Sequence, residues 1–191
     1  MKKACLCFLA VLISCASWAQ SPGFKVQIIQ NGVAVEPKDD VYYLKSEAFS
    51  FAFSSQDVAG FLVGATFDDD LYRSAIGTGD LEVSWFANTG IADDLFNPDQ
   101  ELMVTNDAPS YWYYTDKMDH RFDENTTGTA DNYVAKRTIL RFKDLAVDKV
   151  IPVEDFKKSI YIYMYNGDRD DDFNLIDIET LFYGELKFNT L

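Results

Sequence analysis

A chain of 191 residues with 48% apolar and 15% aromatic side chains can bury about 70% of its unfolded surface and is too apolar for disorder. Thirty-one acidic residues against seventeen basic ones give a net charge of −14, which repels nucleic acid and anionic membrane surfaces and excludes both as partners. Fifteen Phe and eleven Tyr favour strands, and with them an all-β fold.

The first residues read as a targeting segment. Lys2 and Lys3 precede an apolar run, Ala4 to Ile13, and Ser17-Trp18-Ala19 offers the small residues a signal peptidase reads. The run is too short for a finished transmembrane helix. Residues 1–19 are therefore expected to be a signal peptide cut after Ala19, leaving 20–191 as a single domain. A second reading stays open: Leu12-Ile13-Ser14-Cys15 resembles a lipobox, with Cys15 as the lipidated residue of an anchored lipoprotein, although that Cys would sit very early. Either way the chain is expected to be exported, to the periplasm, the cell surface or the medium, and the segment looks bacterial. All three cysteines, Cys5, Cys7 and Cys15, lie here, so the expected mature chain has no disulfide, thiol nucleophile or thiolate ligand.

Phe24 to Gln30 has strand character, and Asn31-Gly32 is the strongest short signal for a two-residue hairpin turn. Val41 to Leu44 is a short strand. In the segment 48–54, Phe49, Phe51 and Phe53 share one face with small residues opposite, as in a core strand. Gly60 to Phe67 is the next strand, its glycines marking a bulge or close approach. Asp68-Asp69-Asp70 opens one helical turn with an Asp cap. Leu81 to Phe86 alternates, with Leu81, Val83 and Trp85 inward. A long, weakly patterned stretch from Asn88 to Asp131 then holds a strand at Glu101–Val104 and the aromatic run Tyr111-Trp112-Tyr113-Tyr114. Tyr133 to Phe142 alternates again, with Leu140 assigned to the core, and Pro152 starts a second helical turn.

The chain closes with a long hairpin. Ile160, Ile162 and Met164 face one way and Tyr161, Tyr163 and Tyr165 the other. Asn166-Gly167 is expected to break this strand, and the acidic run 168–172 to form the tip. In the return strand Ile176, Ile178, Thr180, Phe182, Gly184, Leu186 and Phe188 share a face. Together these elements predict an antiparallel β-sandwich of immunoglobulin-like or jelly-roll type, with about nine or ten strands and one or two short helical turns. The expected core is Phe49, Phe51, Phe53, Val83, Trp85, Leu140, Ile160, Ile162, Phe182 and Leu186.

Few constellations carry chemistry. Asp168, Asp170 and Asp172 alternate, and Glu179 falls at the twelfth position, which is the carboxylate spacing of a Ca²⁺ loop. Phe173 stands where that loop needs Gly, and the flanks read as strands, so a solvated hairpin tip is the competing reading. The run Tyr111, Trp112, Tyr113 and Tyr114 places aromatics on both faces of any strand, one for the core and one for a sugar or a partner. Tyr161, Tyr163 and Tyr165 could equally be the second buried face of a central strand. His120 is the single histidine, and no Gly-x-Ser-x-Gly elbow is present. No catalytic residue and no cofactor is assigned. The sequence is read as an exported, acidic, non-catalytic envelope protein that binds a protein or glycan. Two alternatives stand beside it: an inhibitor or immunity-type protein docking a basic enzyme, and a carboxylate-dependent hydrolase.

Overall fold

The computed structural model describes residues 23–77, 100–114, 122–123, 126–172 and 175–189. Val83, Trp85, His120 and the whole targeting segment with Cys15 lie outside them. The described chain begins with the predicted hairpin. Phe24–Gln30 (β1) pairs with Val33–Ala34 (β2), and Asn31 and Gly32 take φ of 52° and 76°, the positive values a primed two-residue turn requires. Val41–Lys45 (β3), Phe49–Gln56 (β4) and Gly60–Thr66 (β5) follow.

The helix after β5 is longer than the one turn expected, running from Asp69 to Gly77 (α1). The Leu71 N–H donates to Asp68 Oδ1 at 3.0 Å, so Asp68 is the cap. Arg73 closes on Asp69 at 2.7 Å, one turn back along the helix. Glu101–Val104 (β6), Ser110–Tyr113 (β7), Thr127–Gly128 (β8), Asn132–Ile139 (β9), Arg141–Asp144 (β10) and Lys149–Pro152 (β11) come next. A 3₁₀ turn at Val153–Asp155 leads to Ser159–Arg169 (β12) and Leu175–Asn189 (β13).

These strands form three sheets. The first has the order β2-β1-β4-β9-β8, the second β3-β13-β12-β5-β7, and a small third one β11-β10-β6. Two pairings, β13 with β3 and β10 with β6, are parallel; the second and third sheets are therefore mixed where a fully antiparallel sandwich was expected, and the first is antiparallel throughout. No helix among the described residues is long and apolar enough to cross a membrane.

The two five-stranded sheets pack around a core of phenylalanine. Every described Phe belongs to this cluster or packs against it. Phe49, Phe51 and Phe53 on β4 are fully buried, with consecutive rings 5.5 and 6.1 Å apart. Phe24 and Phe61 close one end, their rings 4.8 Å apart. Phe142, Phe156 and Phe188 close the other, with centroids 4.7 to 5.7 Å apart. Ile160, Ile162, Phe182 and Leu186 are buried here as expected.

Leu140 is not core; it is 41% exposed. Alternation carried Tyr133, Ala135, Arg137 and Ile139 inward on β9, and Phe142 inward on β10. Leu140 keeps the outward phase of the even positions of β9, and the phase shifts only after it, so that Phe142, also even, turns inward; at this junction the Leu140 N–H donates to Gln100 and its carbonyl accepts from Val153. The return strand β13 breaks phase in the same way. Met164 lies opposite Phe182 but Tyr165 lies opposite Thr180, so Leu181 is an extra residue in a bulge. Leu181 joins Phe182 in the inter-sheet core, while Ile178 packs on the other side of the sheet. The single apolar face read from Ile176 to Phe188 is thus two half-faces. Nor do Asn166 and Gly167 end β12, which continues to Arg169 beside a second register shift.

Candidate functional site

The outer face of the second sheet is built from tyrosine. Tyr161, Tyr163 and Tyr165 of β12 form a cluster with Leu62 of β5 and Tyr72 of α1, and Leu71, Leu175, Ile178 and Tyr183 pack against it. The Tyr161–Tyr163–Tyr165 row is the second buried face of a central strand, one of the two readings the alternation allowed. Its rings make a continuous layer: Tyr72 lies 4.8 Å from Tyr161 and Tyr163 lies 5.2 Å from Tyr165. A tyrosine buries its ring while its hydroxyl keeps a polar partner, as where the Tyr163 and Thr180 hydroxyls meet at 2.5 Å. Burial raises the phenols of Tyr72, Tyr163 and Tyr165 above the usual tyrosine range.

The aromatic run divides by strand parity. Trp112 enters the core, fully buried, beside Phe53 and Phe61. The guanidinium of buried Arg137 stacks over its ring at 4.3 Å and donates through Nη2 to the Glu101 carbonyl at 2.7 Å. Tyr114 is also buried, stacked on Tyr133 at 5.2 Å. Only Tyr111 and Tyr113 face outward, on edge strand β7, with rings 5.5 Å apart. Tyr111 lies across Gly60, where a Cβ would come within 2.3 Å of its hydroxyl; the glycine is the seat of that ring. Of the run, Tyr111 and Tyr113 are therefore the residues whose rings remain at the surface.

At the opposite edge the tyrosine layer meets acid. A cleft of about 390 Å³ is lined by Asp39, Asp40 and Val41, by Tyr72 and Arg73 of α1, and by Tyr161, Tyr183 and Glu185 from the sheet floor. Asp39 and Asp40 form a tight turn with φ of 50° and 65°, closed by paired hydrogen bonds between Lys38 and Val41. The Asp40 carbonyl accepts from the Glu185 N–H at 3.2 Å, which fixes the turn against β13. Asp40 Oδ1 is closed to solvent and has no hydrogen-bond partner among the described residues. Desolvation, then the charge of Asp39, holds the Asp40 carboxyl above its usual range. Glu185 accepts from the Ser159 hydroxyl. After burial, Asp40 is the largest influence raising the Tyr72 phenol, and Glu185 the largest raising Tyr161.

The acidic tip is dispersed. Asp168 lies opposite Ile176, whereas Glu179 lies opposite Asn166 on the far side of the second register shift. Asp170 Oδ1 accepts from the Asp172 N–H at 2.9 Å, so the tip turns on its own carboxylate. Among the described residues no group of three or more His, Cys, Asp or Glu side chains is arranged to hold a metal ion.

Local pattern did not reveal the cleft. Its parts come from residues near 40, 72, 161 and 185, which only the sheet order brings together; the usable signal was the tyrosine alternation of β12. Comparison with family models, with curated proteins and with solved structures finds no match for this chain.

Proposed function

We propose that this protein is an exported, acidic, non-catalytic β-sandwich module of the bacterial cell envelope, and that it binds a protein or glycan on the outer face of its second sheet. One observation carries the reading. That face is an aromatic layer with rings at both edges open to solvent, Tyr43 at 49% and Tyr111 at 37% exposed, and exposed aromatics on a rigid sheet are anchors for partners and platforms for sugars. The strand order supports the immunoglobulin-like variant of the sandwich. β1, β4, β9 and β8 are ordered as the four-strand sheet of that fold, facing β5, β12 and β13.

Charge favours a second reading, an inhibitor docking a basic enzyme. The strands of the first sheet carry no carboxylate, and Lys25 and Lys136 are the charges on its outer face. Asp168, Asp177, Glu179 and Glu185 stand on strands of the second sheet beside Lys45, Arg169 and Lys187, with Asp69, Asp70 and Arg73 on the adjoining helix. Carboxylates carried by the strands of one sheet and absent from those of the other favour the approach of a basic partner from the second sheet.

The test is binding of the mature chain to a glycan array and to an envelope fraction, with variants on each face. Tyr111→Ser and Tyr43→Ser should weaken binding, and Gln27→Arg on the first sheet should not. The reverse pattern, or turnover of a glycan, would overturn the proposal. Loss of binding in high salt with no signal on the array would favour the inhibitor.

A further inference from the structure

We propose that the cleft between α1 and the Asp39–Asp40 turn receives a cationic side chain, a Lys ammonium or an Arg guanidinium, presented by a protein partner. The inference rests on the binding-face reading above and narrows it. Three features of the cleft converge on an organic cation. Its floor and wall are aromatic, with Tyr72 and Tyr161 ring to ring at 4.8 Å and Tyr183 beside them, and ring faces attract cations. Its polar groups are anionic: Asp40 and Glu185 line it from two elements that the chain brings together through the Asp40 carbonyl. The one cation in the lining, Arg73, is held by Asp69 at 2.7 Å.

Asp40 adds the directional part. Its Oδ1 is withdrawn from water and accepts nothing among the described residues. An acceptor buried without a donor is costly, and an incoming N–H⁺ group satisfies it with a charge-assisted hydrogen bond. A neutral sugar hydroxyl would supply the bond without the charge. A bare metal ion would want several oxygens at close range, and the tyrosine walls do not provide them. The cation is assigned to a protein partner because of the setting. The cleft lies on the tyrosine face of the sheet, which also presents Glu185 and, on β3 opposite Lys187, the half-exposed Tyr43, and aromatic anchors beside charge are how protein interfaces hold a basic side chain.

The experiment follows the ring resonances of Tyr72, Tyr161 and Tyr183 by NMR while the full mature chain is titrated with small probes. These are the N-acetyl methylamides of lysine, arginine and norleucine, a methyl glycoside, and CaCl₂. The lysine and arginine probes should shift the three rings saturably, and the norleucine probe should not. Asp40→Asn, which keeps a residue tolerant of left-handed φ, and Glu185→Gln should each weaken the cationic probes by about tenfold, the loss expected for a charge-assisted contact. Unmoved rings, equal response to norleucine, or unchanged affinity in both variants would overturn the inference. Rings moved by the glycoside and not by the cations would make this a sugar site, sparing the binding face and ending the cation. A response to CaCl₂ alone would replace the organic cation by a metal. If no probe moves the rings and envelope ligands map to the first sheet, both proposals fall.

Discussion

Phe51 is fully buried, with Phe49 at 5.5 Å, Phe53 at 6.1 Å and Trp112 at 6.2 Å. Phe51→Ala would leave a void among rings that cannot collapse into it, and should cost about 3–5 kcal/mol in chemical denaturation. A loss below about 1 kcal/mol would mean the neighbouring rings close the gap. Asp40 makes a prediction of a different kind. Its carboxyl is raised by burial and by Asp39, so protonating it costs the folded chain less than the unfolded one. Its contribution to stability is full below about pH 4, the ordinary value, and is lost as pH rises through the raised value. Asp40→Asn should therefore melt above the parent at pH 7, and the gap should narrow by pH 3. An equal gap at both would assign the gain to the preference of Asn for left-handed φ instead. The Phe row was legible because alternation of Phe with small residues has one reading. Arg137 was not. It holds an inward position between Ala135 and Ile139, but a charged residue is assigned outward until its partners, Trp112 and the Glu101 carbonyl, are seen.

The closing hairpin shows where periodicity stops being informative. Its alternation placed Ile160 to Met164 and Phe182 to Phe188 on the correct face, because both runs lie on the same side of the bulge. A bulge adds one residue, and one residue inverts every side chain beyond it. Leu181 gave no local sign of this, since it is as apolar as its neighbours. A second register shift, between Asn166 and Asp168, separates Glu179 from Asp168 in the pairing. With Asp170 already bonded to the Asp172 N–H, millimolar CaCl₂ and EDTA should give coincident melting curves at fixed ionic strength. A bound ion at 100 times Kd would add about 2.7 kcal/mol, a separation that melting resolves easily. Elsewhere element type was plain from the sequence and extent was not: α1 outran its expected turn because Asp68 and the Asp69–Arg73 pair hold both sides of its first turns.

Among the described residues most of the aromatic side chains are sorted by chemistry. Phenylalanine, with Trp112, Tyr114 and Tyr133, fills the dry space between the sheets, and Tyr72, Tyr161, Tyr163 and Tyr165 cover the outer side of the second sheet. Composition announced both residue types, but only the tertiary fold separates them. The sorting sets the alkaline limit of the protein. Tyr42 is pushed up to about 12 by burial, then by Glu36 and Asp40, and Tyr72, Tyr161, Tyr163 and Tyr165 are raised as well. Groups raised in the fold contribute stability in full below their unfolded value, about pH 10, and that stability is lost as pH rises through the folded values. Ultraviolet titration should therefore show a late, cooperative step in which these phenols ionise together with loss of strand circular dichroism. Smooth, independent ionisation near pH 10 would contradict the buried layer.

Arg137 joins all three sheets. Its backbone lies on β9 opposite Phe51, its guanidinium covers Trp112 of β7, and its Nη2 reaches the Glu101 carbonyl of β6. A side chain with obligations in three directions has no neighbour-by-neighbour route of replacement. Among descendants of this chain, positions 112 and 137 should drift as a unit. A lineage that trades the indole for an aliphatic residue removes the guanidinium's ring face, and one that trades the guanidinium leaves the indole and a strand-end carbonyl without their counterpart. The two positions would record one ancestral event, although they stand 25 positions apart in the sequence and on two different sheets.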